Sequence, residues 1–444
     1  MKRIADKIGK LSRRPEARHV GTLMSGSIAA QIALVATAPL LARLFPPGAF
    51  GLFSLMLTVS TIGGAVGGLS YEVAVILPRS PRMARALYRL AFLLSLVTPF
   101  LMVGLVALVQ YLFPHLLGRT LTLGFYLWCL LGTALTTQIN VLGYGHSRAA
   151  QYGAISMNKV TQTLLPAVAQ IGLALIGMGG EGLMLGRVLG LLGSEVWLAR
   201  RLPPGYRLRD LLHTRRLALT VAARSYRDFL VQVPRQLLVR GATMLPAALL
   251  LGAYGPTVAG LYFFAQRLIE RPGMLLGDSL TRVPMKQFAL RVQQGKKLTR
   301  AALLYTAAVG GPVVVGVLLL ALIAHPLFRT LFGHRWDGAA DYAVVLAGWA
   351  AIRLASLPMA TLTTVLRVQK LSFWVDAVFA ARVAVIPIMA AHHASAIVAI
   401  AAFCVLSAAY HLIIVALGLV VALRYDRALV SPPPPFMQAG EIHV

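Results

Sequence analysis

Acidic residues are scarce: 14 Asp and Glu stand against 42 Lys and Arg in 444 residues, a formal net charge of +28. Charge of either sign is thin, at 13% of residues against 58% hydrophobic, with a mean hydropathy of +0.75. Soluble domains carry about 45–50% apolar and about 25% charged residues, so an ordinary soluble enzyme is excluded. Disorder is excluded by the same numbers, because disordered chains are polar. The two cysteines, Cys129 and Cys404, each sit inside an apolar run. They make no ligand spacing and no disulfide framework, and read as small packing residues. There is no G-x-x-x-x-G-K-[ST], hence no ATP hydrolysis through a P-loop, and no H-E-x-x-H or Cys/His cluster. His392-His393 alone reads as a polar pair in an outer loop. No metal, no cofactor and no catalytic residue are expected. The loops expected to face outward are short, the longest about 325–340. Asp337 and Asp341 lie there without the partner groups of a sugar-transferring enzyme.

What is present is apolar run after apolar run. A bilayer-spanning helix needs about 20 predominantly apolar residues. Twelve stretches qualify: 20–42, 50–70, 88–112, 121–143, 155–177, 181–199, 230–252, 257–281, 301–324, 341–364, 372–391 and 395–422. The fifth and the eighth are the least hydrophobic. The first is too long for a cleaved signal segment and reads as a permanent anchor.

Positive charge sorts between alternate connections. Segments 1–19, 71–89, 144–159, 200–229, 282–300, 365–371 and the stretch from 423 hold 31 Lys and Arg, whereas the other side holds only Arg43, Arg119, Arg329 and Arg335. Cytoplasmic loops are the Lys/Arg-rich ones, so both termini are expected in the cytoplasm. The +28 is then mostly topological, and no nucleic acid partner is needed to explain it. Loop 200–229, with Tyr206, Tyr226 and Phe229, reads as a plain positive-inside connection rather than a lipid-binding patch. Ser431-Pro432-Pro433-Pro434-Pro435 should be extended and solvated.

A repeat divides the chain in two. Pro47-x-x-x-Gly51-Leu52-Phe53 returns as Pro256-x-x-x-Gly260-Leu261-Tyr262, and at the same offset Gly64, Gly68 and Ser70 meet Gly273, Gly277 and Ser279. Both copies enter an even-numbered span, six spans apart, which keeps their orientation. The expected fold is therefore an all-α polytopic membrane protein of about 12 transmembrane helices, in two six-helix lobes related by a parallel pseudo-two-fold repeat around a central cavity. The division is an N-terminal lobe 1–212, a C-terminal lobe 213–425 and a flexible tail 426–444. Gly63, Gly64, Gly67 and Gly68 form small-xxx-small patterns that let helices approach closely.

Seven arginines fall inside the spans: Arg187, Arg235, Arg240, Arg267, Arg271, Arg353 and Arg382. A central Arg costs about 2.5–3.5 kcal/mol on insertion scales, so each needs an internal reason. Arg235 lies near a span end and can snorkel. Arg267 and Arg271 stand at i and i+4 with Glu270 beside them, and Pro272 should kink or open the span. Three acids, Glu270, Asp278 and Asp376, are taken as deep and serve as charge partners or coupling groups. They cannot neutralise all seven arginines. Arg187, Arg240, Arg267, Arg271, Arg353 and Arg382 are thus the candidate lining of a wet cavity for an anion, most simply a phosphate or diphosphate that Arg clasps bidentately.

The stretch Arg43-Leu44-Phe45-Pro46-Pro47-Gly48-Ala49-Phe50-Gly51-Leu52-Phe53 resembles the first-loop signature of lipid-linked oligosaccharide flippases (Wzx type) of the multidrug/oligosaccharidyl-lipid/polysaccharide exporter superfamily. Tyr226-Arg227-Asp228-Phe229, Pro234, Ala259-Gly260-Leu261-Tyr262, Ala265, Arg267, Pro272 and Gly277 resemble its central segment. The resemblance implies a polyprenyl-diphosphate-linked oligosaccharide as cargo, specifically an undecaprenyl-diphosphate-linked repeat unit. It also implies alternating access across a bacterial inner membrane, and a place in O-antigen, capsule or exopolysaccharide assembly beside the bilayer, a polysaccharide polymerase and chain-length machinery. Two other readings stay open: a multidrug cation antiporter of the same superfamily, which should prefer acidic groups in its cavity, and a membrane polymerase or ligase of sugar chains, which the short outer loops oppose.

Overall fold

The computed structural model describes residues 15–117, 121–207, 210, 216–366 and 379–429. Every regular element among them is helical. In chain order these are α1 (Pro15–Leu44), α2 (Pro47–Val66), α3 (Tyr71–Ala74), α4 (Pro81–Leu112), α5 (Pro114–Leu117), α6 (Leu123–Arg148), α7 (Tyr152–Leu175) and α8 (Gly180–Arg200). They continue with α9 (Arg216–Ser225), α10 (Gln232–Tyr254), α11 (Pro256–Gln293), α12 (Thr299–Phe332), α13 (Gly338–Val365), α14 (Val385–Ala391) and α15 (Ala396–Ala428). Proline opens α2, α4 and α11, where its missing N–H is not needed and its fixed φ suits the first turn. Gly255 (φ +87°) and Gly333 (φ +94°) supply the left-handed turns that end the preceding helices.

Nine of the described helices are long and apolar enough to cross a membrane. The fifth and eighth predicted spans form α7 and α11 but are not among the nine: Lys159 interrupts the first, and Arg267, Glu270 and Arg271 the second. The helix of α11 runs unbroken through Pro272, so the expected local opening there does not occur. The eleventh predicted span is represented by the short apolar stretch Ala381–Ala391. Residues 430–444, including the proline run, lie outside the described residues.

Two compact units result. The first comprises Met1–Phe264 with Thr330–Trp336. In it the two copies of the sequence repeat pack on each other reciprocally. A Cβ placed on Gly51 would collide with the carbonyl of Pro256, and one placed on Gly260 with the carbonyl of Pro47. Only glycine lets the first turns of α2 and α11 approach so closely. Aromatic rings close the contact: the Trp336 centroid lies 5.1 Å from Phe50 and 4.3 Å from Phe264. Trp336 Nε1 donates to Ala42 O at 2.7 Å, and Arg43 donates to Leu331 O at 3.2 Å and Thr330 O at 2.8 Å. Tyr206 is buried with its ring 5.1 Å from Tyr88, so it serves packing, as a plain connecting loop requires.

The first unit also holds an isolated buried carboxyl. Glu72 sits on α3 at 4% exposure behind Leu69 and Ser70, both left-handed (φ 50° and 64°). Glu72 Oε2, Ser70 Oγ and Tyr88 Oη are buried without hydrogen-bond partners among the described residues. Burial pushes the Glu72 carboxyl up to about 7, with its own and the Ser70 backbone partly opposing the shift. A folded pKa raised above the unfolded value favours folding below the unfolded pKa and withdraws that support as pH rises through about 7. Glu72→Gln should therefore stabilise the protein by about 3 kcal/mol at pH 8 and by little near pH 4. Thermal unfolding of both proteins across that range checks it; a pH-independent difference would refute the assignment.

The second unit comprises Ala265–Arg329 and Asp337–Val444. Its core is built on Phe288, Leu298, Ala302, Met359, Leu362 and Ala422, which bring α11, α12, α13 and α15 together. Gly418 permits α15 to approach α13, since a Cβ there would lie 2.8 Å from that of Met359.

Candidate substrate-binding site

Within the second unit, α13 presents Trp349, Arg353 and Ser356 at i, i+4 and i+7, one face of a helix. The guanidinium of Arg353 lies 5.2 Å from the Trp349 ring centroid. Ser356 Oγ is 3.0 Å from Nδ1 of His411 on α15, and the His411 ring stacks edgewise on Tyr410 at 4.8 Å. Arg382, on the 3-10 turn before α14, places its guanidinium 5.6 Å from Phe403 and 5.9 Å from Tyr410, and its Nη1 donates to Phe379 O at 3.0 Å. Trp349 and Phe403 close the ring of aromatics at 6.2 Å. Both arginines lie near enough to His411 to act on it electrostatically.

Two half-buried cations thus flank one imidazole on a floor of aromatic faces. A cation over a ring gains about 0.5–1 kcal/mol when exposed and about 2 when desolvated, which holds the Arg353 guanidinium by its flat side and leaves its N–H edge for hydrogen bonds. Among the described residues Arg353 meets no carboxylate. Such a surface suits an anion with several oxygens, and the aromatic floor suits the apolar faces of a sugar.

The other expected site residues are distributed differently. Arg267 is half-buried on α11 of the same unit, one turn from Glu270, which is 6% exposed and accepts from Gln266 Nε2 at 3.2 Å. Glu270 lies within electrostatic reach of Cys404 on α15. Arg187 belongs to the first unit, where its Nη1 donates to Gln162 O at 3.2 Å, and Arg240 is exposed on α10 of that unit. Asp376 and the side chains of Arg271 and Asp278 lie outside the described residues. Glu195 of α8, half-buried with Oε2 lacking a hydrogen bond, adds a fourth acid to the three taken as deep. Counting arginines and acids missed His411. A histidine in the middle of the apolar run of α15 was visible to the same rule, that an ionisable group at membrane depth has a functional reason.

A second constellation answers the question posed by Asp337 and Asp341. His325, near the end of α12, places Nδ1 3.0 Å from Asp337 Oδ1 and Nε2 3.1 Å from Asp341 Oδ1. All three side chains are about half exposed, so the group ties α12 to the start of α13 across the loop. Among the described residues no group of His, Cys, Asp and Glu is arranged to hold a metal ion.

The profile of the family described as "Polysaccharide biosynthesis protein" matches residues 40–341. No curated protein matches the chain. Among solved structures, "Lipid II flippase MurJ, inward closed conformation" superposes with a TM-score of 0.64 at 10% identity, covering 94% of this chain and 93% of that one. An inward-facing multidrug resistance MATE family transporter of the MOP superfamily gives 0.54 at 14% identity, with 93% and 96% covered. A MOP superfamily transporter from Pyrococcus furiosus Vc1 (DSM3638), described as having a binding pocket of reverse polarity, gives 0.53 at 14% identity, with 95% and 98% covered. The chain belongs to the polysaccharide biosynthesis protein family and has the two-lobe, all-helical fold of the MOP superfamily transporters and flippases.

Proposed function

We propose that the protein carries an undecaprenyl-diphosphate-linked oligosaccharide repeat unit from the cytoplasmic to the outer leaflet of a bacterial inner membrane, for O-antigen, capsule or exopolysaccharide synthesis. The observation that carries the reading is the arginine–aromatic–histidine cluster of α13, α15 and the turn before α14, in a chain of the polysaccharide biosynthesis family. The diphosphate binds Arg353 and Arg382, and Arg187, Arg240, Arg267 and Arg271 are the further candidate contacts. The sugar rests on the rings, and the lipid tail stays in the bilayer. The halves 1–212 and 213–425 alternate access, the tail from 426 stays cytoplasmic with the N-terminus, and Glu270, Asp278 and Asp376 pair with arginines or couple the cycle. An anion moving outward gains roughly 2.3 kcal/mol per charge per 100 mV of inside-negative potential, so voltage favours this direction. No covalent step is required, and the protein acts as a transporter rather than an enzyme.

Reconstitution in vesicles tests the reading. Fluorescent undecaprenyl-diphosphate-linked oligosaccharide should become accessible in the opposite leaflet at a rate that rises with protein content. Export of organic cations with no movement of the lipid-linked sugar would replace it by cation antiport, and joining of repeat units by the purified protein would replace it by polymerase or ligase activity.

A further inference from the structure

We infer that the groove between the start of α12 and the end of α15 is a docking site for the headgroup of an anionic phospholipid, distinct from the cargo site. The groove has a volume of about 480 Å³ and is lined by Lys297, Thr299 and Arg300 at its polar end and by Leu303, Leu304 and Ala307 along its wall, with Asp426 at its base.

Three features select the ligand. The first concerns the base. Both Asp426 oxygens are engaged by backbone amides, Oδ1 by Leu298 N at 2.7 Å and Oδ2 by Thr299 N at 3.1 Å. This carboxylate therefore caps α12, and the helix N-terminus is already occupied by an anion of the protein's own. Lys297 and Arg300 are left exposed with no carboxylate within ion-pair distance among the described residues, and Lys296 stands beside them.

The second feature is the wall. Leu303 is 46% and Leu304 61% exposed, and they continue into an α12 whose apolar stretch is only 6% buried within the protein. A free phosphate or nucleotide gains nothing from such a wall, whereas an acyl chain lies along it. The third is the vertical order: cations at the helix end and leucines immediately beyond match the order of phosphate and hydrocarbon in a leaflet. Each Lys or Arg near an anionic leaflet contributes about a fivefold change, so the pair supports roughly 30-fold preference over a zwitterionic lipid.

The test uses the whole protein in a non-ionic detergent. Dioleoyl phosphatidylglycerol should raise its unfolding temperature and survive as a bound adduct in non-denaturing mass spectrometry. Dioleoyl phosphatidylcholine should do neither at the same concentration. Inorganic phosphate should not displace the bound phosphatidylglycerol. Replacing Lys297→Gln and Arg300→Gln together should weaken phosphatidylglycerol binding roughly 30-fold, whereas Lys286→Gln, exposed elsewhere on α11, should leave it unchanged. Equal stabilisation of the parent protein by the two lipids would overturn the proposal without recourse to any variant. Displacement by inorganic phosphate would overturn the lipid assignment in favour of a free anion. Retained binding in the double variant would overturn the groove as the site. None of these results depends on transport of the lipid-linked sugar, so the site and the transport reading fail separately.

Discussion

Gly260→Ala and Gly51→Ala should each remove most of the folded protein. A Cβ at Gly260 falls on the carbonyl of Pro47, with its carbon 2.7 Å away, and a Cβ at Gly51 falls on the carbonyl of Pro256, with its carbon 2.8 Å away. The obstacle in both cases is backbone, at the first residue of a helix, so no side chain can rotate out of the way. Adding a methylene to a packed interior costs about 1–3 kcal/mol when neighbours can yield; here they yield only by separating α2 from α11, and about 3 kcal/mol or more is expected. Separation also strips the ring contacts of Trp336 with Phe50 and Phe264. Because both methyl groups enter one contact, the double variant should cost less than the sum of the singles. Gly48→Ala is the control: its Cβ would meet Thr257 Oγ1 at 3.7 Å, an ordinary contact, and helix propensity favours alanine by up to about 1 kcal/mol. Thermal unfolding in detergent and the yield of monodisperse protein decide the matter. Parent-like values for Gly260→Ala would mean that α2 and α11 do not approach as described.

On the proposed function, Arg353→Ala and Arg382→Ala should each lower transport of the proposed cargo, a lipid-linked oligosaccharide, roughly 10- to 150-fold at normal membrane abundance. A hydrogen bond to a charged group contributes about 1.5–3 kcal/mol, and that range converts to this factor. Lysine should restore only part of the loss, since it keeps the charge but neither the planar fork nor the broad stacking on Trp349 or Phe403. His411→Asn keeps a polar partner for Ser356 and should be milder than either alanine variant. Arg335→Ala, exposed in the loop between α12 and α13, should leave transport at the parent level. Normal surface polysaccharide and normal vesicle transport in both alanine variants would overturn the proposed diphosphate site on α13 and α15.

Much of the fold was legible because membrane helices announce themselves by length and apolarity, quantities that survive in one dimension. The runs at 50–70, 88–112, 121–143, 181–199, 230–252, 301–324, 341–364 and 395–422 all lie on helices long and apolar enough to span. The weakest runs were weak for a reason that also shows in the structure. Arg267, Glu270 and Arg271 interrupt α11, and Glu270 is buried against Gln266 within the second unit. The two-copy motif was legible as well, but only as a period. Nothing in Pro47-x-x-x-Gly51 says that its glycine meets the proline of the other copy, because that contact joins residues about two hundred positions apart.

The arginines divide along the same line. Their number, and the cost of keeping them among apolar residues, follow from the sequence, because charge and hydropathy are properties of residue types. Their grouping does not. Arg353 and Arg382 both act on His411 because α13 packs on α15 and a 3-10 turn lies within the eleventh apolar run, whereas Arg240 is exposed on α10 and Arg187 turns to a backbone carbonyl. Composition by itself determined a helical membrane chain with buried positive charge. Which cations act together, which acid caps a helix and which glycine admits a neighbouring backbone were decided by tertiary packing, since each depends on distances between segments that the order of residues does not encode.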